Sequence, residues 1–166
     1  MPDKPMRLIV VSNRLPVSLS RSGGKLAVEP GSGGLVTALA PVLKNRGGLW
    51  LGWSGSPVAG TPGEAEEEAR AVEEVLADYS KEAGYGLFTV PLTREQVAGY
   101  YRGFSNEIIW PLFHDFQSRC RFEPAYWRAY LDVNFLFAEQ LARHSTPEDY
   151  VWVQDYHLMH QAFFLK

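Results

Sequence analysis

Cysteine is almost missing from this sequence: Cys120 is the only one. An intramolecular disulfide is excluded, so the fold rests on packing alone. A single thiol fits a reducing cytoplasm, and that is the expected location. Long apolar runs are missing too. No stretch approaches the ~20 residues that cross a bilayer. The opening Met1-Pro2-Asp3-Lys4-Pro5-Met6 carries no apolar segment of signal-peptide length. Neither sign of charge is in large excess, since 16 Lys+Arg against 19 Asp+Glu leave a formal net charge of −3. That argues against a nucleic-acid or membrane partner, both of which want a basic footprint. No Cys/His cluster has metal-ligand spacing, so neither a metal nor another cofactor is expected. The dinucleotide fingerprint is incomplete as well. Gly31-Ser32-Gly33-Gly34-Leu35-Val36 lacks the last glycine of Gly-x-Gly-x-x-Gly, and no clear ribose-binding acid follows. Ser54 sits in Gly52-Trp53-Ser54-Gly55-Ser56, which misses the strict Gly-x-Ser-x-Gly of a hydrolase elbow.

What is present suits one soluble globular domain: 166 residues, 46% hydrophobic and 21% charged. Leu8-Ile9-Val10-Val11 is a short continuous apolar run, the pattern of a strand buried on both faces of a parallel sheet. Further strands are expected at 48–53, 87–90 and 150–153. Residues 18–34, rich in Ser and Gly, read as a loop. A helix is expected over 35–44, kinked or interrupted at Pro41. Thr61-Pro62-Gly63-Glu64 and Thr93-Arg94-Glu95-Gln96 are capping boxes that open helices. Pro124 opens another, with Trp127, Tyr130, Asn134, Phe137 and Leu141 on one face. Strands alternating with helices predict an α/β fold with a mainly parallel sheet. Ligands of such sheets bind beyond the carboxyl ends of the strands. Ser12-Asn13-Arg14 and Asp155-Tyr156-His157 each follow a predicted strand and are expected to share one crevice.

Each candidate has a structural alternative. Arg14 forks onto phosphate, or pairs with a carboxylate such as Asp155. Gly33-Gly34 lets a ligand approach backbone N–H groups at a helix start, or is an ordinary loop-to-helix turn. The aromatic segment Tyr100 to His114 offers rings that stack on a sugar, or it is core. Asp155 binds sugar hydroxyls or acts as a base, with His157 as partner or as a cap of the next helix.

The segments are more specific in combination. They run in the order Ser12-Asn13-Arg14-Leu15-Pro16, Gly33-Gly34-Leu35, Gly52-Trp53-Ser54-Gly55, Tyr101…Phe104-Ser105-Asn106…Trp110-Pro111…His114, Val133-Asn134, and Trp152-Val153-Gln154-Asp155-Tyr156-His157-Leu158. This pattern resembles the N-terminal part of the trehalose-6-phosphate synthase family, the UDP-forming glycosyltransferase family 20, over about residues 6–159.

The resemblance implies a GT-B glycosyltransferase: twin Rossmann-like domains with a cleft between them, of which residues 1–166 correspond to the N-terminal, acceptor-side domain. The reaction it implies moves glucose from UDP-glucose to glucose 6-phosphate with retention, giving trehalose 6-phosphate and UDP without a metal. By the same resemblance Arg14 binds the acceptor phosphate, and Tyr101 and Asp155 bind glucose 6-phosphate. Gly33 and Gly34 approach the donor, Trp110 selects the acceptor anomer, and Trp53 is an additional contact, with Trp50 the competing tryptophan. Family members are two or three times the size of a single domain. The donor-binding domain is expected beyond Lys166, so these residues alone are expected to be inactive. Missing strands would leave an apolar sheet edge, favouring a homo-oligomer. A non-catalytic sugar-phosphate-binding or regulatory subunit of a trehalose synthase complex is the alternative.

Overall fold

The computed structural model describes residues 6–22, 25–58 and 61–165. Four strands form one parallel sheet: β1 (Leu8–Arg14), β4 (Leu49–Trp53), β5 (Gly86–Thr89) and β6 (Tyr150–Val153), in the order β5-β4-β1-β6. The four expected strands are all present. Ile9, Val10 and Val11 are fully buried, because β1 is central and covered on both faces.

One expected loop is corrected. Residues 17–30 hold a hairpin of β2 (Val17–Ser22) and β3 (Lys25–Pro30), antiparallel with Leu19 opposite Val28. The Ser and Gly content hid an apolar alternation, Val17 and Leu19 on one strand and Leu26 and Val28 on the other. That face packs on one of the two cores.

Helix α1 (Gly34–Arg46) is not interrupted at Pro41, through which it runs unbroken. Pro41 lies on the exposed side, so its ring meets solvent. The capping box at Thr61 is formed as read, with Glu64 bonding back to the Thr61 N–H, and it starts α2 (Pro62–Ala83). Helices α1 and α2 cover one sheet face together with the hairpin, around Val10, Leu43, Trp50 and Leu76.

The opposite face is covered by a different pair. The second capping box, at Thr93, starts a single turn α3 (Arg94–Gln96) that widens into a π-helix, Val97–Ile109, and ends in α4 (Trp110–Phe113). Long α5 (Pro124–His144) packs alongside. Gly99 and Gly103 make this contact possible: a Cβ on Gly99 would stand 2.5 Å from Ala129, and one on Gly103 2.6 Å from the Tyr126 ring. Tyr100, Tyr130, Val133, Phe137 and Leu141 fill the core beneath. Of the face expected on α5, only Trp127 lies outside it, exposed at the helix start.

The topology fixes where a ligand belongs. From β1 the chain builds outward to β4 and β5, then crosses back to add β6 on the other flank of β1. The sheet's switch point is therefore between β1 and β6, and crevices form there outside the carboxyl ends. Arg7 ties the two strands at their amino ends through a paired contact with Asp149.

Candidate functional site

A cavity of about 470 Å³ opens at the switch point. It is lined by Ser12, Asn13 and Arg14 after β1, Gln154, Asp155 and His157 after β6, and Leu35 at the start of α1. The volume is in the range of small-molecule sites. Both post-strand segments predicted to share a crevice do so.

Arg14 reaches the cavity because β1 is irregular at its end. Pairing to β4 slips between Val11 and Arg14, a bulge that re-aims the side chain. The Ser12 hydroxyl donates to the Arg14 carbonyl at 2.7 Å and accepts from the Trp50 indole N–H at 2.7 Å. Gly52 leaves room for the bulge, since a Cβ there would stand 2.8 Å from the Arg14 carbonyl carbon. The guanidinium lies over the Trp53 ring, 5.0 Å from its centroid. Gly55, at φ +97°, also closes against it, and a Cβ there would collide with the guanidinium nitrogens. The segment Gly52-Trp53-Ser54-Gly55 is thus a seat for Arg14. Among the described residues, Ser54 bonds only within its own turn, to Ser56. Between the two tryptophans, Trp53 supports the cavity arginine from beneath, and Trp50 belongs to the opposite core.

The carboxylate alternative for Arg14 is not realised: among the described residues no carboxylate forms an ion pair with it. Asp155 is occupied otherwise. Its Oδ1 accepts the Tyr156 N–H at 2.7 Å, and its Oδ2 stands 3.3 Å from His157 Nδ1, close but without hydrogen-bond alignment. Asp155 holds φ 74°, ψ 164°, a conformation almost confined to glycine, with its side chain half exposed to the cavity. Strain of this kind costs of order 1–3 kcal/mol and collects at functional sites.

His157 is buried between the Tyr101 and Tyr156 rings, at centroid distances of 5.5 and 4.3 Å. Burial pushes its imidazole down from the ordinary value, against the pull of Asp155. Tyr101 stands one layer behind the cavity wall, 6.4 Å from Trp53. The neighbouring Tyr100 is fully buried and its hydroxyl donates to Asn13 Oδ1 at 3.1 Å, which turns Asn13 toward the cavity.

Gly33 is the N-cap of α1 with φ 141°, ψ 158°, again a glycine conformation. A Cβ on Gly33 or Gly34 would meet nothing within 4 Å, so the backbone there is open to a ligand. The first turn of α1 carries no acidic residue to satisfy its N–H groups. Trp110 is not brought to the cavity. It is 41% exposed and stacks on His114 at 4.3 Å. Its helix reaches the site only indirectly, through Phe113 edge-on to Tyr156 at 6.3 Å. Gln154 and Leu35 also line the cavity, although no motif assigns either a role. Their adjacency to Asp155 and to Gly34 was the available signal.

Fold and cavity define a Rossmann-like α/β domain of the GT-B type, with an arginine and a carboxylate at the switch point of a parallel sheet. The model of glycosyltransferase family 20 matches residues 6–166, and the chain belongs to that family. A bifunctional trehalose-6-phosphate synthase/phosphatase from Thermoproteus tenax is 42% identical over 163 residues, 93% of this chain and 20% of the relative. Solved structures agree. A Burkholderia xenovorans UDP-forming α,α-trehalose-phosphate synthase in complex with glucose 6-phosphate superposes with TM-score 0.68 at 30% identity, covering 96% of this chain and 30% of that one. The Escherichia coli protein bound with UDP-2-fluoroglucose gives 0.67 at 30% identity, with the same two coverages. The chain thus spans between a fifth and a third of the relatives it matches.

Proposed function

We propose that this domain is the acceptor-side wall of a retaining glucosyltransferase that moves glucose from UDP-glucose to glucose 6-phosphate, giving trehalose 6-phosphate and UDP. The observation that carries this reading is the seated Arg14, without an ion-pair partner among the described residues, in one cavity with Asp155. A guanidinium held in place with free N–H donors suits a dianionic phosphate, and a carboxylate opposite suits sugar hydroxyls. Glucose 6-phosphate presents both groups. Relatives solved with that sugar phosphate and with a UDP-glucose analogue support the two substrate classes.

In this reading Arg14 takes the phosphate and Asp155 the sugar, and Tyr101, stacked behind His157, takes the sugar after a side-chain rearrangement. The open backbone at Gly33-Gly34 meets the donor, whose diphosphate suits a helix N-terminus. Trp110 selects the acceptor anomer from the rim and needs a rearrangement of α4 to reach it. The donor's other contacts belong to a second domain, which closes the cleft and stabilises the leaving diphosphate. The domain alone therefore binds the acceptor without transferring glucose. A cytoplasmic homo-oligomer completes the proposal.

Calorimetric titration tests it. The chain is expected to bind glucose 6-phosphate, and Arg14→Ala to abolish that binding. Binding of NAD in its place overturns the reading. Formation of trehalose 6-phosphate by the purified domain would overturn the division of labour between the two walls.

A further inference from the structure

Asn134 belongs to the sequence pattern but had no role in it. The structure gives it one, shared with Tyr130 one turn earlier on α5. Both side chains are buried, and neither lines the cavity. The Tyr130 hydroxyl donates to the Tyr156 carbonyl at 2.9 Å and accepts the Met159 N–H at 3.0 Å. Asn134 Nδ2 donates to the His157 carbonyl at 3.2 Å, and its Oδ1 accepts the His160 N–H at 3.2 Å. Four backbone groups of the segment 156–160 are thereby satisfied by two side chains. Burial pushes the Tyr130 phenol up to about 12, so it stays protonated and can do both jobs.

This segment begins at Asp155, whose backbone is strained, and a strained conformation persists only where its surroundings over-determine it. No regular helix supplies that support, because Tyr156–Leu158 is one 3-10 turn and α6 (Gln161–Phe164) one short helix. Tyr130 also packs on Phe104, at 4.5 Å, and on Tyr100, at 6.0 Å, both in the π-helix. One side chain thus braces the Asp155 segment and the π-helix that carries Tyr101.

We propose that Tyr130 and Asn134 are positioning residues: a polar latch on α5 that holds Asp155 and His157 in the orientation the sugar requires. The latch leaves the Arg14 seat untouched, since that seat is built from β1 and the Gly52–Gly55 segment. Sugar recognition and phosphate recognition should therefore separate. The inference rests on the reading of this cavity as a glucose 6-phosphate site.

The test is NMR titration of the chain with glucose 6-phosphate and, separately, with inorganic phosphate. Tyr130→Phe keeps the ring and removes the two hydroxyl bonds. It is expected to weaken glucose 6-phosphate binding about 5- to 10-fold, the scale of one or two hydrogen bonds. Inorganic phosphate should change by less than about 2-fold. Asn134→Ser, cutting the latch at its other end, should behave alike and keeps the test open should Tyr130→Phe not fold. Gln161→Leu is the control: its side chain bonds the Asn134 carbonyl at 2.5 Å rather than the segment. It should lower thermal stability with the ratio of the two affinities unchanged. Equal weakening of both ligands, or none, in the latch variants overturns the positioning role. A wild-type chain that binds phosphate but not glucose 6-phosphate overturns the acceptor reading itself.

Discussion

At the residue scale the site turns on how one arginine is held. A surface arginine loses side-chain entropy when it captures an anion. Arg14 is confined beforehand by its contacts with Trp53 and Gly55, so less is lost on binding. Gly55→Ala puts a methyl group where the guanidinium lies and forces alanine into φ +97°. Glucose 6-phosphate affinity is expected to fall about 10-fold or more, roughly 1.4 kcal/mol per decade. Calorimetry reads this directly, and an unchanged affinity would mean the seat is irrelevant. Arg14 was legible in the sequence as a post-strand cation. Its seat was not, because Gly55 matters through a packing contact between segments far apart in the chain.

His157 supports a second expectation at this scale. Burial depresses its pKa, so the unfolded chain binds the proton more readily than the folded one. The stabilising difference is complete above the ordinary histidine pKa of about 6.5 and is lost as pH falls through the depressed value. Part of the stability lost between neutral and mildly acidic pH should thus disappear in His157→Phe, which keeps the aromatic stack. His144 is depressed by burial too and supplies a remaining share. Denaturant unfolding across that pH range checks it, and parallel curves for the two proteins would show that His157 does not titrate as described.

At the scale of elements, what was legible followed from local rules. Both capping boxes formed at the threonines where they were read, because a cap needs only four neighbouring residues. Apolar runs gave the four sheet strands for the same reason. The hairpin at 17–30 was lost because composition outweighed alternation, and the π-helix because no local rule distinguishes it from an α-helix. Across the interface Gly99 and Gly103 let α5 press on this segment, which carries Tyr100 and Tyr101. Gly103→Ala would drive a methyl group into the Tyr126 ring, an overpacking that costs about 1–3 kcal/mol. Thr61→Ala, at a cap remote from the cavity, costs about 1 kcal/mol. Only the first should also weaken glucose 6-phosphate binding, because only the first displaces Tyr101, which backs His157 in the cavity wall. If both change stability alone, the π-helix is scaffold and nothing more.

At the scale of the whole molecule, the sheet is unevenly covered. Strand β6 is an edge of the sheet among the described residues, and its side chains on the α1 face are bare. Tyr150, in register with Leu8, is 56% exposed, and Trp152, in register with Val10, is 45% exposed. On the nearby helix α1, Leu35 and Val42 are exposed as well. A parallel sheet ordinarily buries both faces, and an uncovered apolar strand at an edge is a template for association. The expected occupant for this chain in isolation is a second copy, which brings the same apolar face and the same open strand edge. Sedimentation velocity should therefore show mass rising with protein concentration. Trp152→Lys, a charge on the bare edge, should return the chain to monomer while glucose 6-phosphate binding survives, since Trp152 does not line the cavity. A wild-type chain that stays monomeric in concentrated solution rules the association out.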